Sequence, residues 1–206
     1  MKVGIMGGTF DPIHMGHLIL GEEAYEELHL DRVVYLPAGN PPHKQNRTDG
    51  ASDRDRLEMV RLAVADNPHF TVSDYEMRQE RLSYTSITLT ELKAMHPDHE
   101  FYFIIGADSL FAFDEWHEPG VIASLSTLVI ATREEATNYS LVRKIRHLED
   151  DYNARCVLLN SGNFDISSRE IRKRLEKGRD IRYYVPDPVR EYIMEHGLYG
   201  LSAKEN

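Results

Sequence analysis

The stretch "KVGIMGGTFDPIHMGHLIL", residues 2–20, decides the fold. Its apolar start is typical of a buried strand, Gly7 and Gly8 indicate a sharp turn, and the segment after them predicts a helix. Proteins often hold phosphate with this order of elements, yet the spacings GxxxxGK[ST] and GxGxxG are both absent. Instead, His14 and His17 stand where the turn becomes the helix.

Apolar runs rich in Val, Ile and aromatic residues alternate along the chain with segments of helical period. The strand-like runs begin near residues 3, 32, 70, 100, 126 and 156, and helical spacing is seen around residues 18–28, 57–63 and 87–92. This alternation predicts an α/β protein with a Rossmann-like, doubly wound, mostly parallel sheet, helices on both faces, and ligands at the carboxyl ends of the strands.

The length of 206 residues predicts a single domain over residues 1–206. Within it we expect an α/β core over 1–165 and a C-terminal helical part over 166–200, with serine at the cap of its first helix and a stop at Gly178. Residues 40–52, which are rich in proline, polar and basic residues, predict an exposed, mobile loop that could close over a ligand.

Composition limits the classes of function. The formal net charge of −10 argues against a general nucleic-acid binder, because a grip on phosphate backbones needs an excess of Lys and Arg. The chain has no apolar run of the ~20 residues that a membrane helix requires, and no export signal at its start, so we expect a cytoplasmic protein. The single cysteine, Cys156, lies in a core-like strand where a free thiol behaves as a small apolar group.

The turn after the first strand has the groups that an anion needs. Gly7 and Gly8 let the backbone approach a ligand, Thr9 offers a hydroxyl and an amide, and the next helix directs its positive N-terminus at the same space. Imidazoles three residues apart lie on one helix face and can reach one oxyanion cluster. Two other interpretations stay open: the same residues could serve only packing and capping, or the histidines could bind zinc, although no third ligand stands nearby in sequence.

Two motifs carry a resemblance to a known superfamily. "GGTFDPIHMGH" resembles the HxGH signature of the nucleotidylyltransferases, and "ISSREIR", residues 166–172, is similar to their late ISSTxIR motif, with Arg169 in place of the usual threonine. Two motifs about 150 residues apart in the expected order are far more specific than either alone.

Further motifs resemble one member family, the bacterial nicotinate mononucleotide adenylyltransferases. They are "PAGNPPHK" (37–44), "SYTSITL" (83–89), "GADSLFAFDEWHE" (106–118) and "YYVPDPVREYIMEHGLY" (183–199). The resemblance therefore covers nearly the whole chain.

The resemblance implies an enzyme of NAD biosynthesis that transfers the adenylyl group of ATP to nicotinate mononucleotide, giving deamido-NAD and pyrophosphate. The substrate phosphate is a competent nucleophile at neutral pH, so the protein has only to align two anions in line and neutralise charge, without a covalent intermediate. The phosphates should push the imidazoles towards their charged form. Magnesium is expected to arrive with ATP, because it keeps most of its waters, and no metal site of the protein's own is predicted.

The resemblance also implies the site residues. Catalysis is expected from His17 on the α-phosphate, His14 on the adjoining phosphates, and Arg172 on the β- and γ-phosphates. The residues expected to bind ATP are Gly7, Gly8, Thr9, Phe10, His14, His17, Lys44, Gly106, Asp108, Ser167, Ser168 and Arg172. The residues expected to bind nicotinate mononucleotide are Asn40, Lys44, Tyr84, Thr85 and Trp116.

The resemblance also implies individual roles, and each role suits the chemistry of its side chain. Trp116 would stack on the electron-poor pyridine ring, and Thr85 with neighbouring amides would bind the pyridine carboxylate. That contact separates the acid from its amide, because a carboxylate only accepts hydrogen bonds whereas a carboxamide also donates them. Lys44 would close over the phosphates as a point charge. Asp108 is left open between the ribose and the magnesium shell, and Arg169 could face solvent.

Other functions fit parts of the pattern. Pantetheine-phosphate adenylyltransferases share HxGH but are usually shorter and lack the two middle motifs, and an amide-preferring adenylyltransferase is a nearer alternative. A class I aminoacyl-tRNA synthetase is excluded, because the chain lacks a KMSKS-like loop, an anticodon-binding domain and a basic surface. A nucleotide-sensing regulator would not need groups aimed at a transition state. The expected partners are ATP and nicotinate mononucleotide, with neither nucleic acid nor membrane, and a homodimer is left open.

Overall fold

The computed structural model describes residues 1–41, 50–132, 139–160 and 166–201. Its strands are β1 (Lys2–Gly8), β2 (Arg32–Pro37), β3 (Phe70–Val72), β4 (Glu100–Gly106), β5 (Ser126–Thr132) and β6 (Arg155–Asn160). They form one six-stranded sheet in the order β3-β2-β1-β4-β5-β6, and every neighbouring pair is parallel. This is the doubly wound order of Rossmann-like proteins, so the predicted fold class is confirmed.

Helices cover both faces of the sheet. They are α1 (Met15–Leu28), α2 (Asp53–Val64), α3 (Thr85–Met95), α4 (Ala107–Phe111), α5 (Pro119–Leu125), α6 (Tyr139–Tyr152), α7 (Ser168–Glu176) and α8 (Asp187–Glu195). One hydrophobic cluster joins the sheet to α1, α2, α7 and α8, and a second joins its other face to α3, α4, α5 and α6. None of the helices among the described residues is both long and apolar enough to cross a membrane.

The position of β1 at the centre of the sheet explains why its sequence is a continuous apolar run. It pairs with β2 on one side and β4 on the other, so both of its faces are covered. Val3 and Ile5 pack into the cluster of α3–α6, whereas Met6 packs into the cluster of α1, α2, α7 and α8. Each helix layer is therefore held to the sheet by alternate residues of the same strand.

The C-terminal helices confirm their predicted signals. Ser167 caps α7, because its side chain accepts a hydrogen bond from the backbone of Glu170 at 3.2 Å. Gly178 follows that helix with a φ of +64°, a left-handed conformation that glycine adopts at little cost. Both α7 and α8 pack into the cluster that contains α1. The division of the chain at residue 165 stays a prediction.

Several elements differ from the sequence prediction. The strand-like run FTVSDYE, residues 70–76, contains only the three-residue β3, and α4 begins at Ala107, within the strand-like run EFYFIIGAD, residues 100–108. The helices α4 and α5 were not predicted because five and seven residues are too few to show a helical period. Helix α6 was also missed, although Leu141, Ile145 and Leu148 have helical spacing. Part of the predicted loop, residues 42–49, lies outside the described residues.

Cys156 lies in a strand, β6, as predicted, but it is half-buried and not in the core. Burial, with a smaller contribution from the charge of Glu149, raises the pKa of its thiol to about 11. The thiol is therefore protonated at neutral pH, which agrees with the expectation of an unreactive cysteine.

Gly21 allows α1 to lie directly against β2. A Cβ atom at this position would stand 2.2 Å from Tyr35 Oη and 3.2 Å from Phe70 Cζ. We therefore expect Gly21→Ala to lower the free energy of unfolding by about 1–3 kcal/mol, measured by urea denaturation. Gly120→Ala in α5 is the control, because its Cβ would be 3.6 Å from the Tyr152 ring, an ordinary van der Waals distance. Equal stability of the two variants would contradict this account of the packing.

Candidate active site

The carboxyl end of β1 lies at the point where the sheet changes direction. The chain runs from β1 outward through β2 and β3, and then returns to place β4 on the other side of β1. Crevices at such switch points are where doubly wound proteins bind ligands. Gly7 and Gly8 end β1 here, and the turn over residues 9–14 leads directly into α1.

Backbone carbonyls around this turn are held by groups from other parts of the chain. The donor–acceptor pairs are Ala38 N to Gly8 O (2.8 Å), Arg56 Nη1 to Thr9 O (2.7 Å), Arg172 Nη1 to Asp11 O, and Ser168 Oγ to Pro12 O (2.8 Å). A carbonyl oxygen carries a partial negative charge and therefore repels an anion. Each of these four oxygens accepts a hydrogen bond from a defined donor.

Arg172 and Ser168 were predicted to bind phosphate, and the structure has them docked on the turn. Arg172 also lies 3.8 Å from a carboxylate oxygen of Asp11, and its side chain is only 15% exposed. Ser167 caps α7. The late motif is thus brought to the first motif over about 150 residues of sequence, which is the juxtaposition that the resemblance implies. Phosphate contacts by these three side chains stay a prediction.

Asp11 is a residue whose importance the sequence did not reveal. Its carboxylate is buried and accepts hydrogen bonds from Ala51 N at 3.0 Å and Tyr199 Oη at 2.7 Å. With the nearby Arg172 it joins the turn to the entry of α2, to α7 and to the C-terminal 3₁₀ turn Leu198–Gly200. In the sequence, Asp11 indicated only a turn before proline.

The two histidines of the first motif are in contact. His14 caps α1, its backbone N–H donates to His17 Nδ1 at 3.2 Å, and the rings stack with centroids 3.7 Å apart. The buried Phe10 ring meets His17 edge-on at 5.0 Å. Their spacing predicted both imidazoles on one face, and the structure has them there. The capping that we left open as an alternative is also present, so the geometry is compatible with both roles.

The environment of His17 favours its neutral form. Burial, and to a lesser extent the positive charge of His14, lowers the pKa of His17 well below its ordinary value. The charged imidazole expected from the sequence would therefore need the field of a nearby phosphate. The first amide of α1 is also engaged, because Met15 N donates to Tyr184 O at 2.8 Å. This amide is therefore bonded within the protein, and the binding of an anion at the N-terminus of α1 stays a prediction.

A cavity of about 910 Å³ is lined in part by Ile5, Leu36 and Phe103, which belong to the cluster of α3–α6. Phe10, which contacts His17, belongs to the cluster on the other face of the sheet. Residues from the ends of β1, β2 and β4 and from α3–α5 line the cavity, among them Gly7, Gly8, Thr9, Leu36, Ala38, Glu76, Tyr84, Thr85, Thr88, Phe103, Trp116 and His117. The turn after β1 is therefore shared between the cavity and the histidines. An apolar, aromatic cavity with a few polar groups is typical of a small-molecule site.

Three of the residues predicted for the second nucleotide, Tyr84, Thr85 and Trp116, line this cavity. Trp116 is partly buried, with its ring 5.6 Å from Phe113 and 6.1 Å from Phe103, and it also lines the cavity. Tyr84 and Thr85 line it at the start of α3. Asn40 is exposed near the cavity, where its N–H donates to Ser83 Oγ at 3.1 Å.

Three of the other predicted residues can be described less fully. Gly106 is exposed at the end of β4, where an added Cβ would meet no atom within 4 Å. The backbone of Asp108 lies in the first turn of α4. Lys44 lies outside the described residues. Their contacts with a nucleotide stay predictions.

His117 and Glu76 also line the cavity and were not predicted. His117 stacks on Tyr84 with centroids 4.4 Å apart, and its Nδ1 is 3.0 Å from Ser86 Oγ. Glu76 is 7% exposed and accepts a hydrogen bond from Thr88 Oγ1 at 2.8 Å. Glu76 has no sequence signal, because it is one of several acidic residues in a polar segment. His117 lies within the motif GADSLFAFDEWHE (106–118), so that residue could have been found.

Among residues 1–41, 50–132, 139–160 and 166–201, no group of three or more His, Cys, Asp or Glu side chains is placed to hold a metal ion. The zinc interpretation of His14 and His17 therefore lacks a third ligand in this part of the chain.

Comparisons with known proteins agree with this geometry. The cytidylyltransferase-like family matches residues 5–174. A relative from Lachnoclostridium phytofermentans, named "Probable nicotinate-nucleotide adenylyltransferase", is 44% identical over 96% of this chain and 98% of its own. A relative of the same name from Exiguobacterium sibiricum is 44% identical over 97% of this chain and 99% of its own.

A solved structure shares the fold. It is the nicotinic acid mononucleotide adenylyltransferase of Plasmodium falciparum complexed with NaAD, with a TM-score of 0.79, 21% identity, and 98% of each chain covered. The fold and the two motifs define a nucleotidyltransferase of the HxGH type, as the resemblance implied. The chain belongs to the cytidylyltransferase-like family and, within it, to the nicotinate-nucleotide adenylyltransferases, a family of enzymes.

Burial raises the pKa of Glu76, although hydrogen bonds from Thr88 and Ser83 partly offset this. A carboxyl whose folded pKa lies above its unfolded value of about 4.3 binds more protons in the folded state. The stability of the protein should therefore fall as pH rises from that unfolded value to the raised one, and the loss should persist above it.

Glu76→Gln removes this charge and keeps an oxygen acceptor for Thr88. We expect the variant to be more stable than the natural protein at about pH 8, with a difference that shrinks towards about pH 4. Thermal unfolding measured across this range tests the expectation. Glu58→Gln is the control, because Glu58 lies near the surface of α2, 3.7 Å from Arg61. A Glu76→Gln difference that does not change with pH would contradict the assignment.

Proposed function

We propose that the protein transfers the adenylyl group of ATP to nicotinate mononucleotide, forming deamido-NAD and pyrophosphate in NAD biosynthesis. The phosphate of the mononucleotide attacks the α-phosphorus of ATP directly and in line, without a covalent enzyme intermediate. The partners are these two nucleotides alone, in the cytoplasm, and a homodimer is left open.

One observation carries the proposal: two different sites meet at a single turn. The stacked His14 and His17 lie on one side of the turn, and the aromatic cavity lies on the other. A transfer between two nucleotides needs both to be held with their reacting atoms adjacent. The names of the relatives and the NaAD complex of the Plasmodium falciparum protein support the same reaction.

The phosphate side of the reaction depends on positioned positive groups. His17 holds the α-phosphate and His14 the adjoining phosphates, each donating through a ring nitrogen. Gly7, Gly8, Thr9 and Phe10 bring the backbone close to the triphosphate, with Gly106 and Asp108 on the neighbouring strand end. Arg172, Ser167, Ser168 and Lys44 take the β- and γ-phosphates. A divalent metal ion, magnesium, arrives with ATP and neutralises part of its charge.

The cavity side of the reaction selects the mononucleotide. Trp116 stacks on the pyridine ring, Tyr84 lines the same cavity, and the Thr85 hydroxyl and neighbouring backbone amides donate hydrogen bonds to the pyridine carboxylate. Asn40 and Lys44 bind at the phosphate end. Pyrophosphate release with ATP and nicotinate mononucleotide tests the whole proposal. Tight binding of both nucleotides without pyrophosphate release would instead favour a nucleotide sensor.

His17→Ala should remove one positioned donor to the developing oxyanion. Such a loss commonly costs about 3 kcal/mol, so we expect kcat to fall about 100-fold in a pyrophosphate-release assay. His96→Ala is the matched control, because His96 is exposed between α3 and β4, at the opposite edge of the sheet. The role of His17 is wrong if its variant keeps more than a tenth of the natural kcat.

The acid should be preferred over its amide. A site built to bind a carboxylate leaves its donors poorly matched by a carboxamide, so we expect kcat/KM for nicotinate mononucleotide to exceed that for nicotinamide mononucleotide by at least about 100-fold. The two values are measured side by side with the same enzyme preparation. If the amide reacts as fast as the acid, the assignment of Thr85 fails, while adenylyl transfer itself stands.

A further inference from the structure

Arg56 is a buried arginine at the carboxyl edge of the sheet. It lies in α2, and its side chain is 4% exposed. Nη1 donates to Thr9 O at 2.7 Å, and Nη2 donates to Ala38 O and to Asp53 Oδ1, each at 2.7 Å. The guanidinium therefore joins the residue after β1, the residue after β2 and the first turn of α2.

This burial has a physical cost that the three bonds offset. A guanidinium removed from water is strongly destabilising unless it is paired and hydrogen-bonded. Arg56 meets two carbonyl oxygens and one carboxylate, and such charge-assisted bonds are about twice as strong as neutral ones. Arg54 and Arg61 in the same helix are exposed. Arg56 is therefore buried because its side chain meets the β1–α1 turn, not because the whole helix is buried.

The two carbonyls that Arg56 holds belong to the proposed site. Thr9 and Ala38 both line the cavity, and Thr9 opens the turn that leads to His14. The strands are still paired at this point, because Ala38 N donates to Gly8 O at 2.8 Å. By donating to the Thr9 and Ala38 carbonyls, Arg56 joins the two chain segments just beyond the ends of β1 and β2. It thereby fixes the distance between these two strand ends.

We infer that Arg56 is a positioning residue for adenylyl transfer: its planar fork sets the β1–α1 turn by holding the Thr9 and Ala38 carbonyls together. The inference rests on the proposed function. Arg56 acts through the turn, since the cavity-lining residues within the described part of the chain do not include it. Its positive charge beneath the turn also favours the approach of the triphosphate.

The variant Arg56→Lys tests whether the positive charge of Arg56 is enough or whether the planar shape of its guanidinium is needed. A lysine keeps the positive charge but presents a compact point donor in place of the rigid fork that reaches two carbonyls. A misplacement of about 1 Å at a reacting centre can cost about 100-fold in rate, so we expect kcat to fall by about that factor. KM for ATP should change less than about threefold, because the lost alignment matters most in the transition state.

Arg61→Lys is the matched control. It makes the same substitution in the same helix, at an exposed arginine 3.7 Å from Glu58. It should leave kcat unchanged. Circular dichroism and thermal unfolding establish that each variant is folded at the assay temperature. The backbone amide NMR chemical shifts of Gly8 and Thr9 should change in Arg56→Lys and stay the same in the control. A general loss of stability would not produce such a local change.

The outcomes separate the inference from the proposed function. An active natural enzyme with a folded Arg56→Lys variant that keeps kcat within threefold overturns the inference and leaves the function standing. A natural enzyme that releases no pyrophosphate overturns both. If Arg56→Lys does not fold, Arg56→Ala is assayed with millimolar guanidinium chloride against sodium chloride of equal ionic strength. Recovery of turnover by guanidinium alone supports the inference, and no recovery overturns it.

Discussion

The geometry of the candidate active site depends on the turn that follows the central strand β1. This strand is paired on both sides and must pass into α1 within six residues, and the turn between them is held by donors from elsewhere in the chain. Arg56 reaches it from α2, and Arg172 and Ser168 reach it from α7. Three carbonyls of the turn, those of Thr9, Asp11 and Pro12, are thus tied to the helices α2 and α7. Such anchoring resists movement when an anion approaches, and this is the preorganisation that phosphoryl transfer requires.

The same turn divides two environments that suit the two proposed substrates. The cavity on one side is aromatic and partly apolar, which fits a pyridine ring. On the other side, burial and the charge of His14 lower the pKa of His17, which favours its neutral form. Under the proposed function, a bound phosphate is the charge that would raise this pKa and favour the protonated ring. The buried Asp11 connects this side to the partly buried Arg172 of α7 and to Tyr199 in the C-terminal 3₁₀ turn.

The sequence was sufficient to predict the parallel sheet and to identify the two motifs. Strands buried on both faces read as continuous apolar runs, and His14 and His17 stand at a fixed spacing in one short segment. The remaining features depend on tertiary contacts. Arg56 is one of several charged residues at the start of α2, and only the packed structure distinguishes it. The partners of Asp11 include Tyr199, 188 positions away. A motif also cannot show whether the Arg172 guanidinium meets phosphate or a backbone carbonyl.

The most direct test of the account is a crystal structure with a non-hydrolysable ATP analogue. The account predicts an α-phosphate oxygen within about 3 Å of the His17 ring nitrogen that does not bind the His14 backbone, with the β1–α1 turn unchanged. It also predicts that the adenylyl group points towards the aromatic cavity. A triphosphate bound elsewhere, or one from which both imidazoles face away, would contradict the central claim that this turn is built to hold the reacting phosphorus.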